Sequence, residues 1–481
     1  PLTVYAPAIE HGGYYPGSVF DDMPVKYSDG TSSGWSPVDY DTETSGWKGL
    51  ITMRSALMYS VNVYAVQLFA KVGIEYGWQF AKNNLGLPLT DRDKVLSLSL
   101  GTCHVSTLDM ATAYSTFPNN GIKTEPFSVT KVLGPDSEPL LETTPTKKRV
   151  MKETTAYLMN NMLRSVVTAG TGTHAKLGNW YICGKTGTTS LDPDIYGNKT
   201  GNPDAWFVGY SPKYTAVVWM GYDSDPDKLH YLYKVYGGSY PTSIWKQVMT
   251  VAHEDLDVQS SISRPNGITS VTFDKKSGLL PSSLTPAGFI ATEIAASDSV
   301  PTSVSNVWVE AKVDTKNQNM LAPEGSLNTI TKVFLSLPNR SKTAVWPPDE
   351  LPYKLPTEYA EASSGDTTIE NETPPSGDSR VPQPSISSAS YNPSTTKVQI
   401  PLLSQHNAQQ YSLILYIKRP NQPYLETFVP EESNPAIINY KLNLFGSGQV
   451  TSGTYTFWAA LMNNSSFTVG PPSNPVTITI Q

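Results

Sequence analysis

The segment near residues 356–384 places the strongest constraint on how this chain of 481 residues can fold. It consists largely of Ser, Thr, Pro, Gly and acidic residues with few apolar side chains, as in residues 370–378. Such a segment cannot bury enough apolar surface to offset the entropy of ordering its backbone. We therefore predict a disordered linker there, with folded parts on either side of it.

The parts that flank this linker differ in hydrophobic pattern. Residues 1–255 alternate helical and strand-like patterns, which is typical of a mixed α/β core. Residues 256–355 carry short β-type runs punctuated by Gly and Pro, and these predict a small β-rich annex. Residues 385–481 contain strand-like runs spaced by turn residues, which predict a β-sandwich. Within it, residues 453–476 resemble the end of a fibronectin type III module.

Charge and cysteine content exclude several classes of function. The formal net charge is −7 and no concentrated basic face is evident, so we expect no nucleic-acid partner. No apolar run is long enough to cross a bilayer, so any membrane anchor is expected upstream of these residues. Cys103 and Cys183 lack the spacing of a metal or redox site and are predicted to be independent, mostly buried thiols. The six histidines form no HExxH pair, and no metal site is expected.

The tripeptide Ser60-Val61-Asn62 separates two helical runs, 50–59 and 63–73. In one continuous helix, residues two apart point about 200° from each other, so Ser60 and Asn62 could not face one site. A turn between two helices would instead place a hydroxyl and a carboxamide side by side at a cleft. The competing interpretation is a continuous buried helix in which Ser60 bonds to a carbonyl one turn back.

Residues 184–189 form a second polar segment, rich in Gly and Thr. The strand-like run 180–183 leads into it, and runs 205–210 and 214–222 predict a hairpin that extends the same sheet. Two other interpretations compete with a functional strand. One is a phosphate-binding glycine loop, but the segment lacks the GxxxxGK[ST] spacing of such loops. The other is a plain exposed turn that binds no ligand.

The composition of this segment suits a bound peptide. Gly184 and Gly187 remove side-chain bulk where another backbone must approach, so an extended peptide could pair with the strand. The hydroxyls of Thr186 and Thr188 could take the carboxylate of that peptide, and Lys185 would supply positive potential.

S-x-N followed by K-T-G makes two of the three elements of a serine acyl-transfer site, in the expected order. Together with residues 54–63, 109–121, 206–210 and 219–223, they make residues 1–255 resemble the transpeptidase domain of class A, bifunctional penicillin-binding proteins. The resemblance implies an α/β (α+β) serine transpeptidase fold, with a central antiparallel sheet flanked by helices.

The resemblance also implies an activity, which is the cross-linking of peptidoglycan stem peptides. An active Ser attacks the D-Ala-D-Ala donor, D-Ala leaves, and an amine acceptor takes the acyl group; β-lactams acylate the same Ser. Ser60 would relay a proton, Asn62 would bind the donor amide, Lys185 would tune Ser60 and attract the carboxylate, and Thr188 would give an oxyanion-hole N–H. Thr186 and Gly187 would complete the substrate-binding strand. No metal or other cofactor is required.

The same resemblance implies a location and partners. The intact protein would act outside the cytoplasm in the cell envelope, anchored in the bacterial membrane by a segment upstream of Pro1. Stem peptides and β-lactams would be its ligands, and cell-wall or divisome proteins are candidate partners of the C-terminal module.

The third element, a Ser three residues before a Lys, is expected just upstream of Pro1. In the family this motif precedes a Pro and an apolar helical stretch, which residues 1–10 resemble. Order or context excludes three of the four S-x-x-K matches in the chain, and the fourth lies in a Gly-flanked loop; the four begin at Ser45, Ser128, Ser243 and Ser394. Residues 1–481 alone are therefore expected to lack the nucleophile and to be inactive.

Other functions stay open from the sequence. The chain could be a non-catalytic domain that binds stem peptides or β-lactams, or a D-Ala-D-Ala carboxypeptidase. A class A β-lactamase needs a Glu that activates the deacylating water, and no Glu lies between Glu75 and Glu125. A transpeptidase is therefore favoured over a β-lactamase.

The composition of the linker generates the first testable prediction. Limited proteolysis should cut first within residues 356–384 and release a C-terminal piece of about a hundred residues that refolds alone with all-β circular dichroism. If protease spares the linker and the whole chain unfolds in one transition, the sandwich is not an independent module.

Overall fold

The computed structural model describes residues 1–28, 34–40, 46–223, 230–315, 317–323, 326, 329–340, 344, 346–360, 373–374, 376–420, 425–430, 435–442, 452–466 and 468–480. Ser45 and residues 361–372 and 375 of the predicted linker lie outside the described residues. Backbone contacts divide the chain into two compact units. The first comprises residues 1–39 and 50–305, and the second comprises residues 40–49 and 306–481.

Helices dominate the first half of the chain. In the described residues the α-helices are α1 Tyr5–His11, α2 Met53–Tyr59, α3 Asn62–Val72, α4 Ile74–Gln79, α5 Thr107–Ser115, α6 Glu153–Ala169, α7 Pro193–Tyr196 and α8 Tyr240–Ala252. None of these helices is long and apolar enough to span a membrane.

The strands up to residue 305 form small sheets. They are β1 Val19–Asp22, β2 Gly49–Thr52, β3 Ile122–Thr124, β4 Lys131–Leu133, β5 Pro139–Glu142, β6 Lys147–Arg149, β7 Cys183–Thr188, β8 Ala205–Tyr210, β9 Thr215–Met220, β10 Ile268–Asp274 and β11 Ile290–Ala296. Strands β7, β8 and β9 form the central sheet in that order. Its pairing confirms the predicted hairpin, because Lys185 lies opposite Val208 and Val208 opposite Val217.

Successive side chains of a strand point to opposite faces of its sheet, so the central sheet has two faces to cover. Different helices pack on the two faces. On one face Cys183, Val208 and Tyr210 join the main core, in which helix α6 supplies Leu163 and Val166. On the other face Phe207 packs against Trp245 of α8. The indole nitrogen of Trp245 also donates hydrogen bonds to the carbonyl oxygens of Gly209 and Ala216, at 3.1 and 3.0 Å, and so fastens α8 to the sheet.

Helix α1 lies within the main core rather than on its surface. Val4, Ala6 and Ala8 are fully buried, and Tyr5 stacks on Tyr64 of α3 with a ring-centroid distance of 6.2 Å. Helix α2 is tied to strand β11 by an ion pair between Arg54 and Glu293, with a nitrogen–oxygen distance of 2.6 Å. The helices on either side of Ser60 are therefore held from several directions.

The second unit is built from β-structure. Its strands are β12 Trp308–Asp314, β13 Thr329–Leu335, β14 Ser390–Asn392, β15 Lys397–Pro401, β16 Tyr411–Lys418, β17 Leu425–Phe428, β18 Ile437–Lys441, β19 Gly453–Asn463 and β20 Val476–Ile480. A three-stranded sheet, in the order β14-β15-β18, and a four-stranded sheet, in the order β17-β16-β19-β20, share an apolar core that contains Val398, Leu415 and Phe457.

The alternation of the strand at residues 453–460 predicts that Tyr455 and Trp458 are core or corner residues rather than a ligand platform, and they are 0% and 6% exposed. Cys103 and Cys183 are both free thiols, as predicted, but only Cys183 is buried, whereas Cys103 is half-buried. The predicted domain limits at residues 255, 355 and 384 stay predictions.

Candidate active site

A sharp turn between helices α2 and α3 carries Ser60, as the S-x-N spacing predicts. Ser60 adopts left-handed backbone angles, φ 61° and ψ 45°, and Val61 is extended. The left-handed region costs a residue with a side chain roughly 1–2 kcal/mol. Hydrogen bonds from the Ser60 and Val61 N–H groups to the carbonyls of Leu57 and Ala56 hold the turn in place.

The central interaction of the site joins this turn to strand β7. Lys185 Nζ donates a hydrogen bond of 2.8 Å to Ser60 Oγ and one of 2.9 Å to the carbonyl of Thr186. Ser60 is exposed, whereas Lys185 is 9% exposed, so the hydroxyl lies at the surface and the ammonium bonded to it is buried. An ammonium has only donors, so Ser60 Oγ must accept, and its own hydroxyl hydrogen is left for another acceptor.

Burial changes the protonation equilibrium of the Lys185 ammonium. It lowers the pKa of Lys185 from 10.5 to about 8, because the interior disfavours the charged form.

Asn62 is held at the first position of helix α3. Its Nδ2 donates to the carbonyl of Val38 at 2.8 Å, and its backbone N–H donates to Asp39 Oδ1 at 2.5 Å. The structure thus brings Ser60 and Lys185 into direct contact and places Asn62 two residues from Ser60, engaged by the segment 34–40.

The threonines of β7 point to the face opposite Lys185. The Thr186 hydroxyl is 2.7 Å from the hydroxyl of Thr171, and Thr188 Oγ1 accepts a hydrogen bond of 3.0 Å from the N–H of Gly237. A side chain at Gly237 would collide with the carbonyls of Gly187 and Trp206, so this close approach needs glycine. The role of both hydroxyls in carboxylate binding stays a prediction.

Several residues around the site escape analysis of the sequence alone. Thr171, Gly237, Val38 and Asp39 all contact the predicted site residues, yet none belongs to either motif. The Gly237-Gly238 pair just before the Pro-containing first turn of α8 is the one local signal that could have indicated a close backbone approach.

Two family profiles match parts of this chain. The profile described as penicillin binding protein transpeptidase domain matches residues 1–250, and that of the penicillin-binding protein 1A C-terminal domain matches residues 264–310. The chain therefore belongs to the penicillin-binding protein transpeptidase family, and its predicted α+β transpeptidase fold is confirmed.

Individual relatives agree with this assignment. Penicillin-binding protein 1F of Bacillus subtilis is 38% identical over 256 residues, which are 53% of this chain and 33% of that protein. Penicillin-binding protein 1A of Clostridium botulinum is 32% identical over 327 residues, which are 65% of this chain and 37% of that protein. The chain thus spans 33% to 37% of the length of these relatives.

A solved structure shows the same fold. Penicillin-binding protein 1A from Haemophilus influenzae matches with a TM-score of 0.53 at 21% sequence identity, over 63% of this chain and 48% of that chain.

The lowered pKa of Lys185 predicts a pH-dependent effect of Lys185→Met on stability. Between pH 8 and 10.5 the unfolded wild-type chain binds more protons at this position than the folded chain, so wild-type stability rises with pH in that window. The Lys185→Met variant has no titratable amine at this position. Relative to the variant, the wild type should therefore gain stability from pH 7 to 10.5, by roughly 1.4 kcal/mol per unit of pKa difference.

Urea denaturation of both proteins across this pH range measures the effect. Lys213→Met, at an exposed lysine in the β8–β9 turn, is the control for the removal of a lysine that is not buried. A stability difference between Lys185→Met and wild type that stays constant with pH would contradict a lowered pKa at Lys185.

Proposed function

We propose that this chain carries the acyl-transfer site of a peptidoglycan D,D-transpeptidase, which cross-links stem peptides and is acylated by β-lactams. The observation that carries the proposal is the 2.8 Å hydrogen bond between Lys185 Nζ and Ser60 Oγ at the exposed edge strand of the central sheet. A hydroxyl held by a buried cation is suited to move a proton, and the cation is suited to attract an anionic donor peptide.

The donor would bind along strand β7. This strand pairs only with β8 in the described residues, so its other edge can take an extended peptide. The peptide carboxylate would then lie near Lys185, and the scissile carbonyl near Ser60. Because the Lys185 ammonium already donates to Ser60 Oγ, the Ser60 hydrogen is available to protonate the leaving amine.

The nucleophile is proposed to come from residues joined to Pro1 in a longer protein. Residues 1–10 resemble the apolar helical stretch that follows the nucleophile motif in the family, which supports this origin. We propose no nucleophilic role for the S-x-x-K matches at Ser128, Ser243 and Ser394. Ser243 Oγ donates to the carbonyl of Ser239 in helix α8, and Ser128 lies on an exposed bend.

Location and other activities follow from the same proposal. The longer protein would work outside the cytoplasm, in the cell envelope. Carboxypeptidase activity needs water to replace the amine acceptor, and a non-catalytic peptide-binding role needs no nucleophile at all. Product analysis distinguishes carboxypeptidase activity from cross-linking, and the labelling experiment below tests the non-catalytic role.

Fluorescent penicillin tests the proposal directly. The protein extended upstream of Pro1 should be labelled covalently, whereas residues 1–481 alone should not. In the extended protein, Ser60→Ala and Lys185→Ala should each slow acylation by at least about tenfold, because each removes a proton-transfer or electrostatic group.

Lys213→Ala removes a positive charge from the β8–β9 turn of the same sheet and is the matched control. This variant should be acylated at the wild-type rate. Stoichiometric labelling of residues 1–481 would overturn the proposed origin of the nucleophile and direct attention to Ser45. Wild-type rates in both site variants would show that the Ser60–Lys185 pair is structural.

A further inference from the structure

The segment 34–40 contacts the Ser60 turn through Asp39. This side chain is 7% exposed, and its Oδ1 accepts hydrogen bonds from the N–H groups of Asn62 and Val63, at 2.5 and 3.2 Å. Val61, which precedes helix α3, makes no side-chain capping bond of its own. Asp39 therefore caps helix α3 from a part of the chain more than 20 residues away.

The neighbouring carbonyl orients the carboxamide of Asn62. Val38 O can only accept a hydrogen bond, so the atom that faces it at 2.8 Å must be Nδ2 and not Oδ1. The backbone and the side chain of Asn62 are thus both held by the dipeptide Val38-Asp39. Within the described part of the chain, the second N–H of Nδ2 and the Oδ1 atom make no hydrogen bond and could meet a bound peptide.

Asp39 makes this contact although its burial is unfavourable. Asp39 Oδ2 is buried and has no hydrogen-bond partner in the described part of the chain. Leaving a buried carboxylate oxygen unpaired costs free energy, which the positive end of helix α3 offsets only in part. The capping contact itself needs only an oxygen acceptor, which Asn at this position would also supply.

The position of Asp39 links it to the site. Through its hydrogen bonds to the N–H groups of Asn62 and Val63, Asp39 contacts the start of helix α3, two residues after Ser60.

We propose that Asp39 is a positioning residue for acyl transfer. It fixes the backbone at Asn62 so that Val38 can orient the carboxamide toward the donor peptide. This inference rests on the proposed function and adds to it a specificity-determining contact outside both sequence motifs.

Binding of an N-acylated D-Ala-D-Ala peptide to residues 1–481 tests the inference without requiring catalysis. Asp39→Ala should raise the dissociation constant about tenfold, because the carboxamide loses its fixed orientation. Asp39→Asn keeps an oxygen acceptor in the same place, so its dissociation constant should stay within about threefold of wild type. Amide hydrogen exchange at Asn62 and Val63 should accelerate in Asp39→Ala and not in Asp39→Asn.

Asp109→Ala is the matched control. Asp109 accepts hydrogen bonds from the N–H and hydroxyl of Ser106 at the start of helix α5, so its loss removes a carboxylate from another helix terminus. This variant should bind the peptide like wild type. If Asp39→Ala does not fold, Asp39→Gln replaces it, because the added methylene displaces the acceptor while Asp39→Asn retains it.

The outcomes separate the two proposals. Wild-type peptide affinity in Asp39→Ala, or in Asp39→Gln where that variant is used, would overturn the role of Asp39 alone. A weakening in Asp109→Ala equal to that in Asp39→Ala would also overturn it, since any lost cap would then suffice. Absence of both peptide binding by wild type and penicillin labelling of the extended protein would overturn the proposed function, and the role of Asp39 with it.

Discussion

The hydrogen bond between Lys185 Nζ and Ser60 Oγ is the interaction on which the candidate site depends. It joins two residues 125 positions apart, one on strand β7 and one in the turn between helices α2 and α3. The sheet holds Lys185 through the core residues Cys183 and Val208, and Arg54 fastens helix α2 to strand β11. Because a buried ammonium is unfavourable unless it is hydrogen-bonded, this contact constrains both elements at once.

Local patterns predicted much of this arrangement. Period-two alternation and the short turn at residues 211–213 indicated the β8–β9 hairpin, and the register of the central sheet agrees with it. The geometry of helices indicated that Ser60 and Asn62 could share a site only across a turn, and Ser60 does adopt left-handed angles there. These successes share a cause: each depends on residues that are neighbours in the sequence.

The supporting contacts could not be predicted in this way. Asp39 reaches Asn62, Thr171 reaches Thr186, and Gly237 reaches Thr188 across separations set by tertiary packing. A single sequence contains no periodicity that reports such pairs, and Asp and Thr are common in loops for reasons unrelated to a site. The motifs therefore indicate which side chains could carry the chemistry, while the residues that orient them emerge only from the folded chain.

The proposed role of the Ser60–Lys185 pair is to serve a nucleophile that lies upstream of Pro1 in a longer protein. Peptide mapping by mass spectrometry of the penicillin adduct in that longer protein is the decisive measurement. We expect one adduct, on a serine four residues before Pro1, at unit stoichiometry. An adduct on Ser45, on Ser60 or on any other serine within residues 1–481 would contradict it.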